Sequence, residues 1–329
     1  MKIKKDYLYA GIIILIVIAA AFFYLKPYFA KQKAPENRQK SDDSWAVDAN
    51  GYLNYPANRG IVNFSRANYS DEPNENIFVS KIVYRSRNGY VYGLLVLPKS
   101  VYGKRPGVVL LPGAGVSKES ELALAKNISS LGAAVLAIDQ RGVGETGGNF
   151  PSLDEDYNNF VNGKEPVQHL MVYDALRAYD LLYSAPFVDA SKIILAGESL
   201  GGRIAIIATA IDRNINGVLV ISSAGFGFKG GNDSNKNAFI KSIDSDHYID
   251  KIAPRKLVMM HNLNDNVIPL DSAVNSYLKA QEPKKFVLVN DTGCNHGYCN
   301  SMYNGLVASL DYLVGINSND VASVNENKT

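Results

Sequence analysis

One short stretch, Gly197-Glu198-Ser199-Leu200-Gly201, constrains the fold of this chain more than any other. It follows the apolar run Ile193-Ile194-Leu195-Ala196 and precedes an apolar helical pattern from Arg203 to Ala210. A strand that turns at once into a helix brings two backbones close together, so the turn needs small residues and holds its serine outward. G-x-S-x-G in this setting predicts a nucleophile elbow, although glycine and serine are also common turn residues.

Apolar runs and amphipathic patterns alternate on both sides of this turn. Buried strands are predicted at Gly107–Leu111, Ala133–Ile138, Ile193–Ala196, Gly217–Ile221, Leu257–Met260 and Phe286–Val289, with helices such as Ser117–Leu131 and Pro166–Ser184 between them. Before them, Val79–Arg85 and Tyr90–Leu97 flank an Asn-Gly turn signal and predict a β-hairpin. Strands that alternate with helices imply right-handed βαβ units. The chain is therefore predicted to be an α/β protein with a mostly parallel central sheet flanked by helices, and with ligands at the carboxyl ends of the strands.

The composition excludes several classes of function. Of the 329 residues, 47% are hydrophobic and 20% charged, which supplies a large core. The net charge is +2, and no basic cluster is interleaved with aromatic residues, so we expect no nucleic acid partner. Two cysteines and four histidines occur without C-x-x-C or H-E-x-x-H. We therefore expect no structural zinc, no zincin site and no cofactor.

The N-terminus predicts a membrane anchor. An uncharged apolar run of about 19 residues extends from Tyr7 to Leu25, which as a helix spans roughly the hydrocarbon core of a bilayer. A cleaved signal peptide with a cut near Ala19-Ala20-Ala21 or Ala30 is the alternative, but the run is long for such a peptide. Lysines lie on both sides, so the charge rule gives no clear orientation. We expect an extracytoplasmic catalytic domain, because short basic N-termini most often stay in the cytoplasm.

The rest of the chain divides by composition. Residues 1–30 form the anchor, residues 31–76 a linker and irregular lead-in, residues 77–316 the catalytic domain, and residues 317–329 a polar, disordered tail. The second half of the lead-in carries Trp45, Tyr52, Tyr55 and Phe64, so we expect it to pack on the domain.

Reactive residues follow four of the predicted strands. The loops are Pro112–Gly115, Asp139–Gly144, Asn264–Pro269 and Gly293–Gly297. A serine hydroxyl is a poor nucleophile near pH 7 and needs a base, and histidine titrates in that range. The histidine needs an acid that fixes its tautomer and stabilises the imidazolium. Ser199, Asp265 and His296 meet these needs in the order Ser, Asp, His, each just beyond a strand.

The region from about Ile77 to Ile316 resembles the α/β-hydrolase superfamily in this order and in its elbow. It is most similar to dienelactone hydrolases, acetyl-xylan-type esterases and the catalytic domains of prolyl oligopeptidase-type peptidases. The D-x-R-G-x-G element from Asp139 to Gly144 and the stretch Asp174–Leu182, which leads through Val188-Asp189 into the elbow, also match this branch. The resemblance implies an α/β-hydrolase fold with a small cap between Gly225 and Ile252.

The resemblance also implies roles for individual residues. Ser199 is the nucleophile, Asp265 the acid and His296 the base. The backbone N–H groups of Leu200 and Ala114 form the oxyanion hole, because Leu111–Gly115 matches the L-H-G-x-G loop of the family. Two positions depart from the pattern: Pro112 stands where histidine is frequent, and His261-Asn262 where His-Gly is common. Neither departure removes a catalytic group.

Several candidates have simpler explanations. Asp271 competes with Asp265 but is expected to cap a helix, and Asp291 is expected to brace a glycine turn. His261 competes with His296 but closes a buried strand, which favours a packed histidine. Asp139 and Arg141 are expected to brace their loop through an ion pair or backbone hydrogen bonds.

Other features stay open at this level. Cys294 and Cys299 either form a disulfide that clamps the His296 loop or remain reduced thiols. The aromatic residues of the excursion from Gly147 to Glu165 either line a pocket or cover the core. We assign no role to Glu198.

The expected function is hydrolysis of small-molecule carboxylic esters through an acyl-enzyme on Ser199. A peptidase, a thioesterase or an acyltransferase on the same fold is the first alternative. A membrane-tethered binding protein without catalytic activity is the second. The sequence does not identify the substrate.

Overall fold

The structure is a computed structural model that describes residues 44–69, 76–99 and 103–316. The predicted span from Tyr7 to Leu25, the first part of the linker and the tail 317–329 lie outside the described residues. Within the described part of the chain, no helix combines the length and apolar character that a membrane crossing requires.

The described elements alternate largely as the sequence predicts. The strands are β1 (Ala46–Val47), β2 (Leu53–Asn54), β3 (Phe64–Asn68), β4 (Ile77–Ser86), β5 (Gly89–Pro98), β6 (Arg105–Leu111), β7 (Ala134–Ile138), β8 (Val188–Glu198), β9 (Gly217–Ile221), β10 (Lys256–Asn262) and β11 (Lys284–Val289). The α-helices are α1 (Leu122–Ser130), α2 (Leu153–Val161), α3 (Val167–Ser184), α4 (Leu200–Ile211), α5 (Ser234–Ile243), α6 (Leu270–Lys279) and α7 (Tyr303–Val314). Short 3₁₀ turns cover Ser245–His247, Ile249–Lys251 and Asn300–Met302.

Nine of these strands form one sheet in the order β11-β10-β9-β8-β6-β7-β5-β4-β3. The six strands from β11 to β7 pair in parallel, and β5, β4 and β3 add antiparallel partners at one edge. The prediction of an α/β protein with a mostly parallel sheet is confirmed. The hairpin between β4 and β5 is also present, and Asn88 takes the positive φ of 55° that an Asn-Gly turn requires.

A hydrophobic core lies on each face of the sheet. On one face, Leu176 of α3 and Ile204 of α4 pack with strand residues such as Leu195. On the other face, Ile128 of α1 and Leu310 of α7 pack with residues such as Ala196. Because Leu195 and Ala196 are successive residues of β8, they point to opposite faces. Two covered faces explain why the parallel strands are near-continuous apolar runs.

The sheet begins earlier in the chain than Ile77. Strand β3 pairs antiparallel with β4, from Phe64 opposite Tyr84 to Asn68 opposite Ser80. Every residue of β3 is exposed, so this edge strand has no apolar alternation that would predict it. Part of the lead-in also packs on the domain: Leu53 is buried in the core and its N–H donates to Tyr248 Oη at 2.7 Å.

Candidate active site

Ser199 stands at the tight turn between β8 and α4. Its φ of 50° and ψ of −115° place it in a strained region for a residue with a side chain. A β-carbon on Gly201 would lie 2.0 Å from the carbonyl oxygen of Leu111, and one on Gly197 would lie 2.4 Å from the carbonyl carbon of Gly201. The glycines of the pattern are therefore sterically required. The Ser199 N–H is fixed by the Ile221 carbonyl at 3.0 Å.

The loop after β6 lies directly beside this serine. A β-carbon on Gly113 would lie 3.5 Å from Cβ of Ser199. Ala114 follows in the same loop and is exposed. Leu200 is the first residue of α4, where a backbone N–H has no intrahelical acceptor and the helix dipole favours negative charge. Both predicted oxyanion donors thus belong to segments that adjoin Ser199.

Asp265 lies in the loop after β10 and is buried. Its Oδ1 accepts the backbone N–H groups of Val267 at 2.9 Å and Ile268 at 2.8 Å. Burial raises the pKa of this carboxyl, but the Ile268 N–H, His296 and the Val267 N–H outweigh it, and the pKa is lowered. Asp265 is therefore held as a carboxylate in a fixed orientation.

His296, in the loop after β11, contacts this carboxylate. Its Nδ1 lies 3.0 Å from each of the two Asp265 oxygens. Because an ionised carboxylate only accepts hydrogen bonds, Nδ1 carries the proton. The other nitrogen, Nε2, is then the one that can exchange a proton with a substrate or nucleophile. The imidazole is 24% exposed, so it is accessible from the surface of the site.

The competing residues occupy other positions. His261 is buried at the end of β10, and its Nε2 lies 2.9 Å from the carbonyl of Ile268 and 3.9 Å from Asp265 Oδ2. Burial lowers its pKa, so it is neutral near pH 7. Asp291 accepts the N–H of Gly293 at 2.8 Å and braces the turn. The capping interpretation of Asp271 is wrong, because the N-cap of α6 is Pro269 and Asp271 lies in the first turn.

Asn262 has a clear role although it departs from the family pattern. Its side-chain amide donates to the carbonyls of Asp291, at 2.9 Å, and of Cys294, and its Oδ1 accepts the N–H of Asp291 at 3.0 Å. A glycine at this position makes none of these bonds. Asn262 therefore ties the end of β10 to the turn that leads into His296.

A disulfide joins Cys294 to Cys299 and encloses His296 in a short covalent loop. Of the two states that the sequence left open, the structure contains the oxidised one. Cys294 is buried in the core on the α1 and α7 side of the sheet. Cys294 thus fixes the start of the histidine loop to the core, and the disulfide fixes Cys299, at the end of the loop, to Cys294.

Two carboxyls near the nucleophile, a partly buried one and a buried one, have no counterpart in the sequence predictions. Glu198 accepts the N–H of Tyr298 at 3.1 Å, and burial raises its pKa to about 7 against the lowering effects of that bond and of His296. Glu121, just before α1, is 4% exposed, and burial and the charge of Glu198 raise its pKa to about 9. Position within G-x-S-x-G was the only sequence signal for Glu198, and it does not tell which way the side chain points.

The expected bracing by Asp139 and Arg141 exists, but each has another partner. Asp139 accepts both the backbone N–H and the Nζ of Lys118, each at 2.8 Å. Arg141 forms two hydrogen bonds with Asp174 of α3, one of them 2.6 Å from Nη2 to Oδ1. All four side chains are nearly or fully buried, so the loop after β7 is fixed by two paired sets of charges.

Comparison with known proteins agrees with this fold. A family model described as acetyl xylan esterase (AXE1) matches residues 56–224, just over half of the chain. The uncharacterized protein YfhR of Escherichia coli K12 is 26% identical over 149 residues, which cover 44% of this chain and 52% of that protein. The putative hydrolase YtaP of Bacillus subtilis is 28% identical over 160 residues, again 52% of that protein. The chain thus spans about half the length of these curated relatives.

Solved structures show the same architecture. An acetyl xylan esterase from Paenibacillus sp. R4 superposes with a TM-score of 0.66 at 20% identity, over 78% of this chain and 90% of that one. Acetyl xylan esterase 1 from Thermoanaerobacterium sp. JW/SL YS485 gives a TM-score of 0.59 at 15% identity, over 76% and 87% of the two chains. At these identities the likeness establishes an α/β-hydrolase-like fold.

Proposed function

This chain belongs to the acetyl xylan esterase family, and from that premise we propose that it is a serine hydrolase that cleaves carboxylic esters through an acyl-enzyme on Ser199. The observation that carries the proposal is the contact of His296 Nδ1 with the Asp265 carboxylate at 3.0 Å, in a loop that also contacts the residue before Ser199. Nucleophilic catalysis requires a serine, a base that takes its proton and an acid that holds the base, and the proposal assigns these roles to Ser199, His296 and Asp265.

The proposed reaction has two halves, each with two proton transfers at His296. Nε2 removes the proton of Ser199 as Oγ attacks the ester carbonyl, and then delivers it to the departing alkoxide. In the second half, water gives a proton to Nε2 and attacks the acyl-enzyme, and Nε2 then returns that proton to Ser199 Oγ as the acid is released. Asp265 stabilises the imidazolium in both halves.

The oxyanion of each tetrahedral intermediate is assigned to the N–H groups of Ala114 and Leu200. Backbone donors are fixed before the charge develops, so they lose little energy to reorganisation, and loss of one such donor typically costs about 10²–10³ in rate. The position of Leu200 at the first residue of α4 adds the favourable end of the helix dipole.

The substrate class is proposed from the family and its solved members. Two structural relatives are described as acetyl xylan esterases, so we propose short acyl esters, with acetyl groups on a carbohydrate as the first class to test. The segment from Gly225 to Ile252 is proposed as a small cap. Its helix α5 packs Phe239 against Tyr157 and Phe160 of α2, which places aromatic residues of both excursions in one cluster. Phe150, in contrast, lines an open cleft of about 800 Å³.

Replacement of the proposed nucleophile tests the function. Ser199→Ala should abolish hydrolysis of short-chain esters and labelling by a fluorophosphonate probe, with an unchanged melting temperature. Ser191→Ala, at an exposed serine of β8 whose Oγ donates to Asp189, should leave both intact. Ester hydrolysis that persists in folded Ser199→Ala would refute the assignment.

The same preparation separates the alternatives. Activity across acyl chain lengths, with peptide and thioester controls, distinguishes an esterase from a peptidase, a thioesterase or an acyltransferase. A folded wild-type protein that neither reacts with the probe nor cleaves any ester supports the non-catalytic binding protein instead.

Attachment to a membrane through Tyr7–Leu25, with the catalytic domain outside the cytoplasm, is a further part of the proposal. The disulfide between Cys294 and Cys299 supports it, because such bonds persist mainly in oxidising compartments. Protease added to intact cells should degrade the domain, and full protection would contradict the orientation.

A further inference from the structure

We propose that Glu198 is a positioning residue that holds the His296 loop against the nucleophile elbow and thereby sets the geometry of proton transfer. The inference rests on the proposed function, since it concerns the same serine and histidine. Glu198 belongs neither to the proposed Ser-Asp-His set nor to the oxyanion loop.

The first observation is that Glu198 joins two parts of the site. It is the last residue of β8, so its backbone is bonded directly to Ser199. Its Oε1 accepts the N–H of Tyr298 at 3.1 Å, and a β-carbon on Gly297 would lie 2.7 Å from its Oε2. The carboxyl group therefore lies against both residues that follow His296, across 100 positions of sequence.

The second observation is the geometry of Gly297. This residue has a positive φ of 77°, and its carbonyl lies within 3.4 Å of Ser222 Oγ. The backbone thus turns sharply just after His296 and is held there by Ser222 and Glu198. Because only glycine leaves room for the Glu198 oxygen, the turn and the carboxyl group fit each other.

The other anchors of the loop act elsewhere. Asn262 and the disulfide fix Cys294 and the start of the loop, while Asp265 fixes the orientation of the ring. Glu198 is the described contact that ties the residues after His296 to the elbow itself. Loss of the Glu198 carboxyl is expected to shift the imidazole relative to Ser199, while the imidazole keeps its hydrogen bond to Asp265.

The charged groups around Glu198 come from two directions. His296 and the Tyr298 hydroxyl belong to the loop, and Glu121 approaches from the start of α1. Burial raises the pKa of both carboxyls, and the charge of Glu198 raises that of Glu121 further, so Glu198 is the first of the two to lose its proton as the pH rises. An ionised acceptor makes the shorter and stronger hydrogen bond to the Tyr298 N–H. The loop is then best held above about pH 7.

Three variants test the proposal with a soluble short-chain ester as substrate. Glu198→Ala removes the acceptor, and kcat should fall about 10- to 100-fold with KM within about twofold, because a misplaced base damages the transition state more than binding. Glu198→Gln keeps an acceptor oxygen but no charge, so kcat at pH 8 should stay within about threefold of wild type. Glu121→Gln is the matched control and should retain the wild-type profile.

The pH profile separates positioning from a merely structural role. At high pH the kcat/KM of the wild type and of Glu121→Gln should exceed that of Glu198→Gln by up to about threefold, and this difference should disappear as the pH falls and Glu198 takes up a proton. Wild-type kinetics in both Glu198 variants, or a kcat/KM of Glu198→Gln equal to that of wild type at every pH, would overturn the proposal. Should Glu198→Ala fail to fold, the Gln variant alone decides. A failure of the proposed function is distinct, since it appears as undiminished activity in Ser199→Ala.

Discussion

Two sets of ionisable side chains lie at the carboxyl edge of the sheet. They differ in whether an opposite charge pairs with them. After β7, Asp139 is paired with Lys118 and Arg141 with Asp174, each at hydrogen-bonding distance. Beside the nucleophile, Glu121 is buried and Glu198 is partly buried, and burial raises the pKa of each carboxyl more than its neighbours lower it. The first set fixes the loop after β7, and in the second set Glu198 contacts the loop that carries His296.

The two sets offset the free-energy cost of removing a charge from water in different ways. A buried ion pair recovers that cost through its partner and becomes rigid. An uncompensated carboxyl recovers it by keeping a proton, so its charge changes near neutral pH. Perturbed groups of the second kind are typical of functional sites, whereas paired groups mainly fix the backbone.

The largest expected effect is on catalysis and comes from Asp265. Asp265→Asn keeps the size of the side chain but no longer fixes the tautomer of His296 or stabilises the imidazolium, so kcat should fall about 10³- to 10⁴-fold. Single-turnover hydrolysis of an ester measures the loss. The free energy of unfolding should change far less than the rate, and a folded Asp265→Asn protein that turns over at the wild-type rate would contradict the role assigned to Asp265.

The opposite outcome is expected for the paired set. Asp174→Ala leaves Arg141 buried without its carboxylate, which should lower the free energy of unfolding by about 3–5 kcal/mol. Urea unfolding measures it, and kcat of the folded fraction should stay near wild type. Asp250→Ala, which breaks the exposed pair with Lys251, is the control and should cost less than about 1 kcal/mol. Equal losses in both variants would mean that burial of the pair is irrelevant.

The sequence predicts the parts of this molecule that are encoded locally. The parallel strands have apolar runs, the β4–β5 hairpin has its Asn-Gly turn, and Ser199, Asp265 and His296 each follow a strand in the expected order. Such signals need only neighbouring residues, or their order along the chain. They were sufficient for the fold class and for the candidate catalytic residues.

What the sequence does not predict depends on contacts between distant segments. The bond from Tyr298 to Glu198 joins residues 100 positions apart, and Arg59 of the lead-in pairs with Asp180 and Asp212, which are 121 and 153 positions away. The sequence does not predict strand β3, because it is an exposed edge strand without a buried face. No pattern within a short window records these contacts.

A third prediction concerns the pH dependence of stability. The pKa of Glu121 is about 9, well above the usual value of about 4.3, so the folded protein keeps a proton that the unfolded chain releases. Stability from this group is therefore complete below about pH 4 and is lost progressively as the pH rises toward 9. Glu121→Gln removes the titration, so its stability relative to wild type should increase with pH by on the order of a few kcal/mol.

Glu119 provides the contrasting control two residues away. Burial raises its pKa, but Lys118 and the neighbouring hydrogen bonds together outweigh burial, and the net pKa is lowered. Its contribution is present above about pH 4.3 and is lost on acidification, so Glu119→Gln should differ from wild type at neutral pH and converge with it in acid. Urea midpoints from about pH 2 to pH 9 measure both variants. Parallel curves for Glu121→Gln and wild type would show that Glu121 is not buried as a neutral acid.

The smallest expected effect is that of the covalent clamp on the histidine loop. The Cys294–Cys299 bond closes a short loop, so its removal should lower the free energy of unfolding by only about 2 kcal/mol in the chain-entropy description. Asn262 and Glu198 still hold the loop, which is why kcat should fall less than in Glu198→Ala. The double replacement Cys294→Ala with Cys299→Ala tests this, and reduced wild type, which keeps both sulfur atoms, is the matched control. Activity lost completely in both would mean that the disulfide, and not the Glu198 carboxyl, is the principal restraint on His296.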